Sequence, residues 1–239
     1  ETLEPATKND LAKFMCERVM SAPFLVLGGG FCEKCTMSLD VPDGFEKKPL
    51  PEWKSTDLFE IKHDQSKNYF TAGWRLPRQD GRMDAILRMI YAVTYGMDGG
   101  RLYNELVYEK CVFDNLSVNT IGAVDASVFI QSAAFPSGRA KWRIDKWIDA
   151  WDRYRFTQME TARAREVLLS SEYFNSEGLG NIPEIAGKSY MLYGDKEKLE
   201  KDFFYEFMHL TADDLNRFKE EYLSFDKMVF GIATTGKCR

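Results

Sequence analysis

Tyr95-Gly96-Met97-Asp98-Gly99-Gly100-Arg101-Leu102-Tyr103-Asn104-Glu105-Leu106-Val107-Tyr108-Glu109-Lys110 is the stretch whose reading decides the fold. Upstream of it, Met83, Ile86, Leu87, Ile90, Tyr91 and Thr94 recur at helical spacing, which predicts a helix over Arg82–Tyr95. Gly96, Gly99 and Gly100 can end that helix. A second helix then starts near Gly99 and buries Leu102, Tyr103 and Leu106. Downstream, Ser117–Ala123 and Ser127–Ala134 read as two strands, with Gly122 to Ala126 as their hairpin connection. Pro136-Ser137-Gly138 stops the second strand. The order is helix, glycine break, helix, hairpin.

That ordered set resembles the second, non-catalytic half-domain of the pitrilysin family of metallopeptidases. It is most similar to the subunits of mitochondrial processing peptidase and the related core proteins of respiratory complex III. The resemblance rests on Gly99-Gly100-Arg101-Leu102-Tyr103, the hairpin, and Ala134-Phe135-Pro136. It implies an α+β fold: a mostly antiparallel sheet of about five or six strands, with helices packed on one face.

The whole chain bounds the alternatives. Its 239 residues suffice for a sizeable core, and 44% apolar with 29% charged residues is ordinary for a globular protein. A net charge of −5 argues against nucleic acid as a partner, because phosphate binding needs a concentrated positive surface. No apolar run approaches the length that spans a bilayer. The chain opens on Glu1, which reads as a processed N-terminus. Five cysteines, an odd number, do not form a secreted disulfide framework.

A helix is expected over Lys8–Met20, capped by Thr7, followed by a strand at Phe24–Leu27 and the turn Gly28-Gly29-Gly30. This start recurs at the other end. Thr211-x-x-Asp214-Leu215-x-Arg217-Phe218 matches Thr7-x-x-Asp10-Leu11-x-Lys13-Phe14, and each is followed by a short apolar strand, Met228–Ile232 in the later copy. Two copies so far apart fit the closing helix and strand of two homologous domains. The expected organisation is therefore the tail of a preceding half-domain at 1–30, a linker at 31–56, and the half-domain proper at 57–239.

Within the linker, Cys32 and Cys35 form a Cys-x-x-Cys pair. It reads as incidental, with a redox motif or a partial zinc site as the alternatives. Leu58–Lys62 and Tyr69–Leu76 alternate as strands, and His63-Asp64-Gln65 falls between them as a solvated turn. Ala140–Tyr154 is a patterned helix with Ile144, Trp147, Ile148 and Trp151 on one stripe. The tryptophans read as core, with a partner-binding face as the alternative. Thr157 caps a further helix, Met159–Tyr173, whose Glu160, Arg163, Arg165 and Glu166 read as a solvated face. Gly178-Leu179-Gly180 is a turn without a phosphate-loop lysine. Helices are then expected up to Tyr193, over Asp195–Met208, and after Thr211.

The resemblance also says what is missing. Active relatives place two His and a Glu on one zinc-binding helix. This chain has only His63 and His209, too far apart to write that motif. Active relatives also supply an Arg and a Tyr, seven residues apart, that polarise the substrate carbonyl. Those positions fall on Val107 or Tyr108 and on Asp114 or Asn115. Neither alignment gives an arginine, and an aspartate would repel a developing oxyanion. Arg101 belongs to the structural Arg-Leu-Tyr. The resemblance thus implies a catalytically silent subunit with no cofactor and no catalytic residue. Its partners would be other protein subunits, one of them supplying the sister half-domain. Its place would be peripheral to the matrix side of the mitochondrial inner membrane, as a core subunit of complex III. The alternatives are the substrate-binding partner of a two-chain zinc processing peptidase, and a redox or metal protein acting through Cys32 and Cys35.

Overall fold

The computed structural model describes residues 7–14, 59–64, 66–77, 80–96, 100–122, 126–176, 186–187, 189–190, 193, 195 and 197–235. The expected strand at Phe24–Leu27, the glycine turn after it, Cys32 and Cys35 lie outside them. A short helix α1 spans Lys8–Phe14. The strands are β1 Phe59–His63, β2 Lys67–Leu76, β3 Asn115–Gly122, β4 Ser127–Pro136 and β5 Met228–Thr235. They form one sheet in the order β1-β5-β2-β4-β3. β1 runs parallel to β5, and every other pair is antiparallel.

Strict alternation decides the two faces of this sheet. In β4 every odd residue from Ser127 to Phe135 is buried, and in β2 the buried positions include Phe70, Ala72, Trp74 and Leu76. These inward residues meet the helices. The opposite face carries Tyr69, Thr71, Gly73 and Arg75, as their alternation predicts, in register with Ala134, Ser132, Ile130 and Val128. The helices are α2 Gly81–Thr94, α3 Arg101–Tyr103, α4 Ala140–Arg153, α5 Gln158–Ser176, α6 Lys198–His209 and α7 Ala212–Tyr222.

Local chemistry fixes the helix starts. The Asp80 side chain accepts the Met83 N–H at 2.7 Å and caps α2. Thr157 and Glu160 exchange bonds at the start of α5, and Thr211 and Asp214 form a reciprocal capping box at α7. The Asp214 carboxyl is held below its usual range, chiefly by the Thr211 hydroxyl.

Aromatic rings fill the space between sheet and helices. Trp147 lies 5.0 Å from Phe70 and 6.3 Å from Trp74, and Trp151 lies 6.2 Å from Trp74, centroid to centroid. The two helical tryptophans are therefore core. Their polar tips are satisfied inside it: Trp147 Nε1 donates to Gln131 Oε1 at 3.0 Å, and Trp151 Nε1 donates to the Leu223 carbonyl at 3.3 Å.

Several expectations shift. β4 runs through Pro136, which pairs with Lys67 at its end, because a strand terminus tolerates the missing N–H. α4 stops at Arg153, and Tyr154 turns extended. His63 is not in a turn: it is the last residue of β1, its ring 5.9 Å from that of Tyr69. Arg165 does not face solvent. It reaches across to the carbonyls of Phe207 and Leu210 at the end of α6, where a cation satisfies the last turn. Of the expected helix before Tyr193, Ala186, Gly187, Ser189, Tyr190 and Tyr193 are described and helical.

Candidate functional site

Gly100 and the Arg-Leu-Tyr helix form a corner where α2 meets the junction of α4 and α5. Gly100 lies directly against the end of α2. A Cβ there would sit 2.2 Å from the Thr94 carbonyl carbon and 2.4 Å from the Tyr95 nitrogen, so no larger residue fits. This contact delivers Arg101 to the junction of α4 and α5. Its guanidinium carbon stands 4.2 Å above the Tyr154 ring, Nε donates to Glu160 Oε1 at 2.6 Å, and Nη2 donates to the Arg155 carbonyl at 2.5 Å. Below it, the buried Tyr154 hydroxyl donates to the Val93 carbonyl at 3.3 Å. Burial, then the Glu160 charge, push the Tyr154 phenol well above its ordinary value. Glu160, expected on a solvated face, is thus a shared anchor for Arg101 and the α5 cap. A cleft of about 280 Å³ opens beside this corner, lined by Arg101, Asn104, Glu109, Glu160 and Arg163 among others.

After Tyr103 the helix widens into a π-helix over Asn104–Glu109. The expected single α-helix is therefore corrected here. Wide turns of this kind cost stability and need outside support. Glu105 supplies it, accepting Lys110 Nζ at 2.6 Å and an Arg153 nitrogen from the end of α4. Leu106 is buried. Tyr108 points into solvent, its ring 5.5 Å edge-on to Tyr103. Cys111 follows with a φ of 48°, which turns the chain toward β3.

The two alignments of the carbonyl-polarising pair can now be placed. Val107 packs partly buried against the core, and Tyr108 is exposed. Asp114 and Asn115 lie at the entry of β3. The Asp114 carboxylate is bound by Lys67 of β2 at 2.7 Å, and its backbone N–H donates to the Ala134 carbonyl at 2.9 Å. The Lys67 ammonium is held above its ordinary range by that carboxylate. The ion pair itself was invisible in the sequence, since it joins the start of β2 to the residue just before β3, two strands that β4 separates.

The two histidines stand on different elements. His209 ends α6, with Nδ1 2.6 Å from the Tyr205 carbonyl and its ring 4.6 Å from the Tyr205 ring. Among the described residues, no group of three His, Cys, Asp or Glu side chains is placed to hold a metal ion. Sequence reasoning also passed over Gln131, a fully buried amide on the inward face of β4. Its Oε1 accepts the Tyr95 hydroxyl at 2.6 Å as well as Trp147 Nε1. The signal was there, in a glutamine at an inward position between Phe129 and Ala133.

No protein-family model matches this chain, and no curated protein does. Solved structures do. The peptidase M16 inactive domain from Pseudomonas fluorescens superposes with a TM-score of 0.71 at 16% identity, over 83% of this chain and 49% of that one. A protease from Helicobacter pylori gives 0.69 at 17% identity, over 77% and 45%. A chain of complex III from Candida albicans gives 0.57 at 12% identity, over 75% and 45%. The chain thus spans about half the length of each. At these identities the likeness establishes the fold: a mixed-sheet α+β half-domain of the pitrilysin-like, M16 type.

Proposed function

We propose that this half-domain is a catalytically silent, peptidase-like structural subunit of a larger protein assembly. The observation that carries the reading is the surface at Val107 and Tyr108 and at Asp114 and Asn115. Where an active relative would set an arginine and, seven residues on, a tyrosine, this chain sets either Val107, packed against the core, with Asp114, whose carboxylate is bound to Lys67, or the exposed Tyr108 with Asn115. Neither alignment puts a cationic side chain at the arginine's position, where it would stabilise a developing oxyanion. We assign no catalytic residue and no cofactor to the chain.

In its specific form the proposal is a core subunit of respiratory complex III, peripheral to the matrix side of the mitochondrial inner membrane. The similarity to a complex III chain supports it. No helix among the described residues is long and apolar enough to cross a membrane. The partners are other subunits, one of which supplies the sister half-domain. Residues 1–30 belong, on this reading, to the end of a preceding half-domain, 31–56 to a linker, and 57–239 to the half-domain itself. In support, α1 begins directly after Thr7 as α7 begins directly after Thr211.

A second reading is favoured by the bacterial inactive domain among the similar structures: the non-catalytic, substrate-binding partner of a two-chain zinc peptidase. Native mass spectrometry of the protein from its source in mild detergent separates the two. Recovery within a large assembly carrying haem subunits supports the first. A heterodimer with one zinc-bearing chain supports the second. A monodisperse monomer overturns both.

A further inference from the structure

The cleft of about 280 Å³ beside Arg101 is built by α2, α5 and the helical turns that follow Gly100. Its base is made of small buried residues, Ala92 of α2 and Ala164 of α5, with Gly100 between the helices. Charged side chains make its walls: Arg101 and Glu109 on one side of the chain break, Glu160 and Arg163 on α5. The space is small, near the lower bound of about 300 Å³ for small-molecule sites.

The four charges are not equivalent. Glu160 is saturated, accepting Arg101 Nε at 2.6 Å and the Thr157 N–H and hydroxyl at 3.1 and 2.6 Å. Arg101 and Glu160 therefore cancel, and the Tyr154 ring and the Arg155 carbonyl fix the arginine in place. One turn further along α5, Arg163 brings a second guanidinium to the same cleft on an exposed side chain. Glu109 ends the π-helix. The cations beside it, Lys110 and Arg153, are both committed to Glu105. Among the described residues neither Arg163 nor Glu109 is held in an ion pair, with each other or with a third group. The cleft thus presents one available cation and one available carboxylate, on separate elements, beside a pair that is already neutral.

From this arrangement we infer that the cleft binds a small zwitterion, its carboxylate on Arg163 and its ammonium on Glu109: a free amino acid or a dipeptide. Charge selects the class. The planar fork of Arg163 takes a carboxylate through two parallel N–H bonds. A phosphate or a dicarboxylate turns its further charge toward Glu109, and a purely cationic ligand meets Arg163. Only a ligand with one charge of each sign satisfies both walls. The exposure of both groups keeps binding weak, with a Kd on the order of a millimolar. We assign the cleft no chemistry on its ligand, so such binding is compatible with a catalytically silent subunit.

The test is nuclear magnetic resonance titration of the isotope-labelled 239-residue chain. The probes are L-alanine, L-alanyl-L-alanine, and the dipeptide blocked either by N-acetylation or by C-terminal amidation, with inorganic phosphate as the anion control. Saturable shifts are expected at the amides of Gly100, Arg101, Glu109 and Arg163 with alanine, the dipeptide or both. The tighter of the two gives the length of ligand that the cleft prefers. Blocking either end weakens binding about fivefold or more. In Arg163→Gln the amidated and free dipeptides bind alike, and in Glu109→Gln the acetylated and free ones do. Both positions are exposed, and far-UV circular dichroism checks that both variants fold. The absence of shifts in the cleft with both unblocked ligands overturns the inference. So do blocked ligands that bind as well as free ones, phosphate that binds more tightly than either, and variants that keep the preferences of the parent.

Discussion

Arg101 lies over the ring of Tyr154 at 4.2 Å and grips Glu160 at 2.6 Å, so one side chain ties the helix after the glycine break to the junction of α4 and α5. The planar guanidinium does what an ammonium cannot: it stacks, and it sends separate N–H groups to a carboxylate and a carbonyl.

Arg101→Ala is therefore expected to destabilise the chain by about 1–2 kcal/mol, a figure tempered by the half-exposed side chain. Arg101→Lys restores less than half of the loss. Urea denaturation midpoints measure both. Equal stability of the lysine variant and the parent would show that charge alone matters and that the stack contributes nothing.

Gln131 Oε1 accepts two buried donors, the Tyr95 hydroxyl at 2.6 Å and Trp147 Nε1 at 3.0 Å. Replacing the amide by methionine strands both, at about 1–3 kcal/mol each way the loss is counted. Adding Tyr95→Phe to Gln131→Met removes one stranded hydroxyl. The double variant is expected to be more stable than the sum of the single losses, by about 1 kcal/mol of coupling in a double-mutant cycle. Strict additivity in thermal or urea unfolding would dissolve the network.

Lys219 is buried on α7, with Nζ 3.2 Å from the Asp152 carbonyl, 3.1 Å from the Tyr154 carbonyl and 5.2 Å from the Trp151 ring. Burial, then the nearby Arg155 charge, pull its pKa down from 10.5 to about 8. A lysine depressed on folding binds fewer protons in the native state than in the unfolded one between those two values. Stability attributable to this group therefore rises with pH from about 8 to 10.5 and is flat below. The gain is at most about 3 kcal/mol, less what the two carbonyl acceptors return to the ammonium. Unfolding free energies of the parent and of Lys219→Met across that window give the difference. A parent curve parallel to the variant's contradicts the shift.

Much of this was legible in the residues. The α2 stripe, the hairpin and the Trp147 and Trp151 pair rest on periodicities of 3.6 and 2, and those follow from backbone geometry that any local stretch carries. Thr157, Thr211 and Asp214 announced their caps because capping is completed within four residues. The glycine at 100 was legible as a break, though the reason for it was not. Only the packing shows that the Thr94 carbonyl leaves no room for a Cβ.

What tertiary structure decided lies where distant segments meet. The parallel pairing of β1 with β5 joins residues some 170 positions apart, as Glu60 with Ile232, and no local pattern encodes it. Arg165 read as solvated because its neighbours on α5 are, yet the end of α6 passes close enough to take it. Beside the π-helix over Asn104–Glu109, Arg153 reaches Glu105 from another helix. At the surface compared with the carbonyl-polarising pair, the sequence by itself determined that no arginine is available. Only the sheet, by setting β2 and β3 on either side of β4, could bring Lys67 onto Asp114 and neutralise it. The physical division is one of range. Propensity, capping and alternation act over a few residues and are written locally, whereas register, ion pairing and burial depend on which surfaces the collapsed chain brings together.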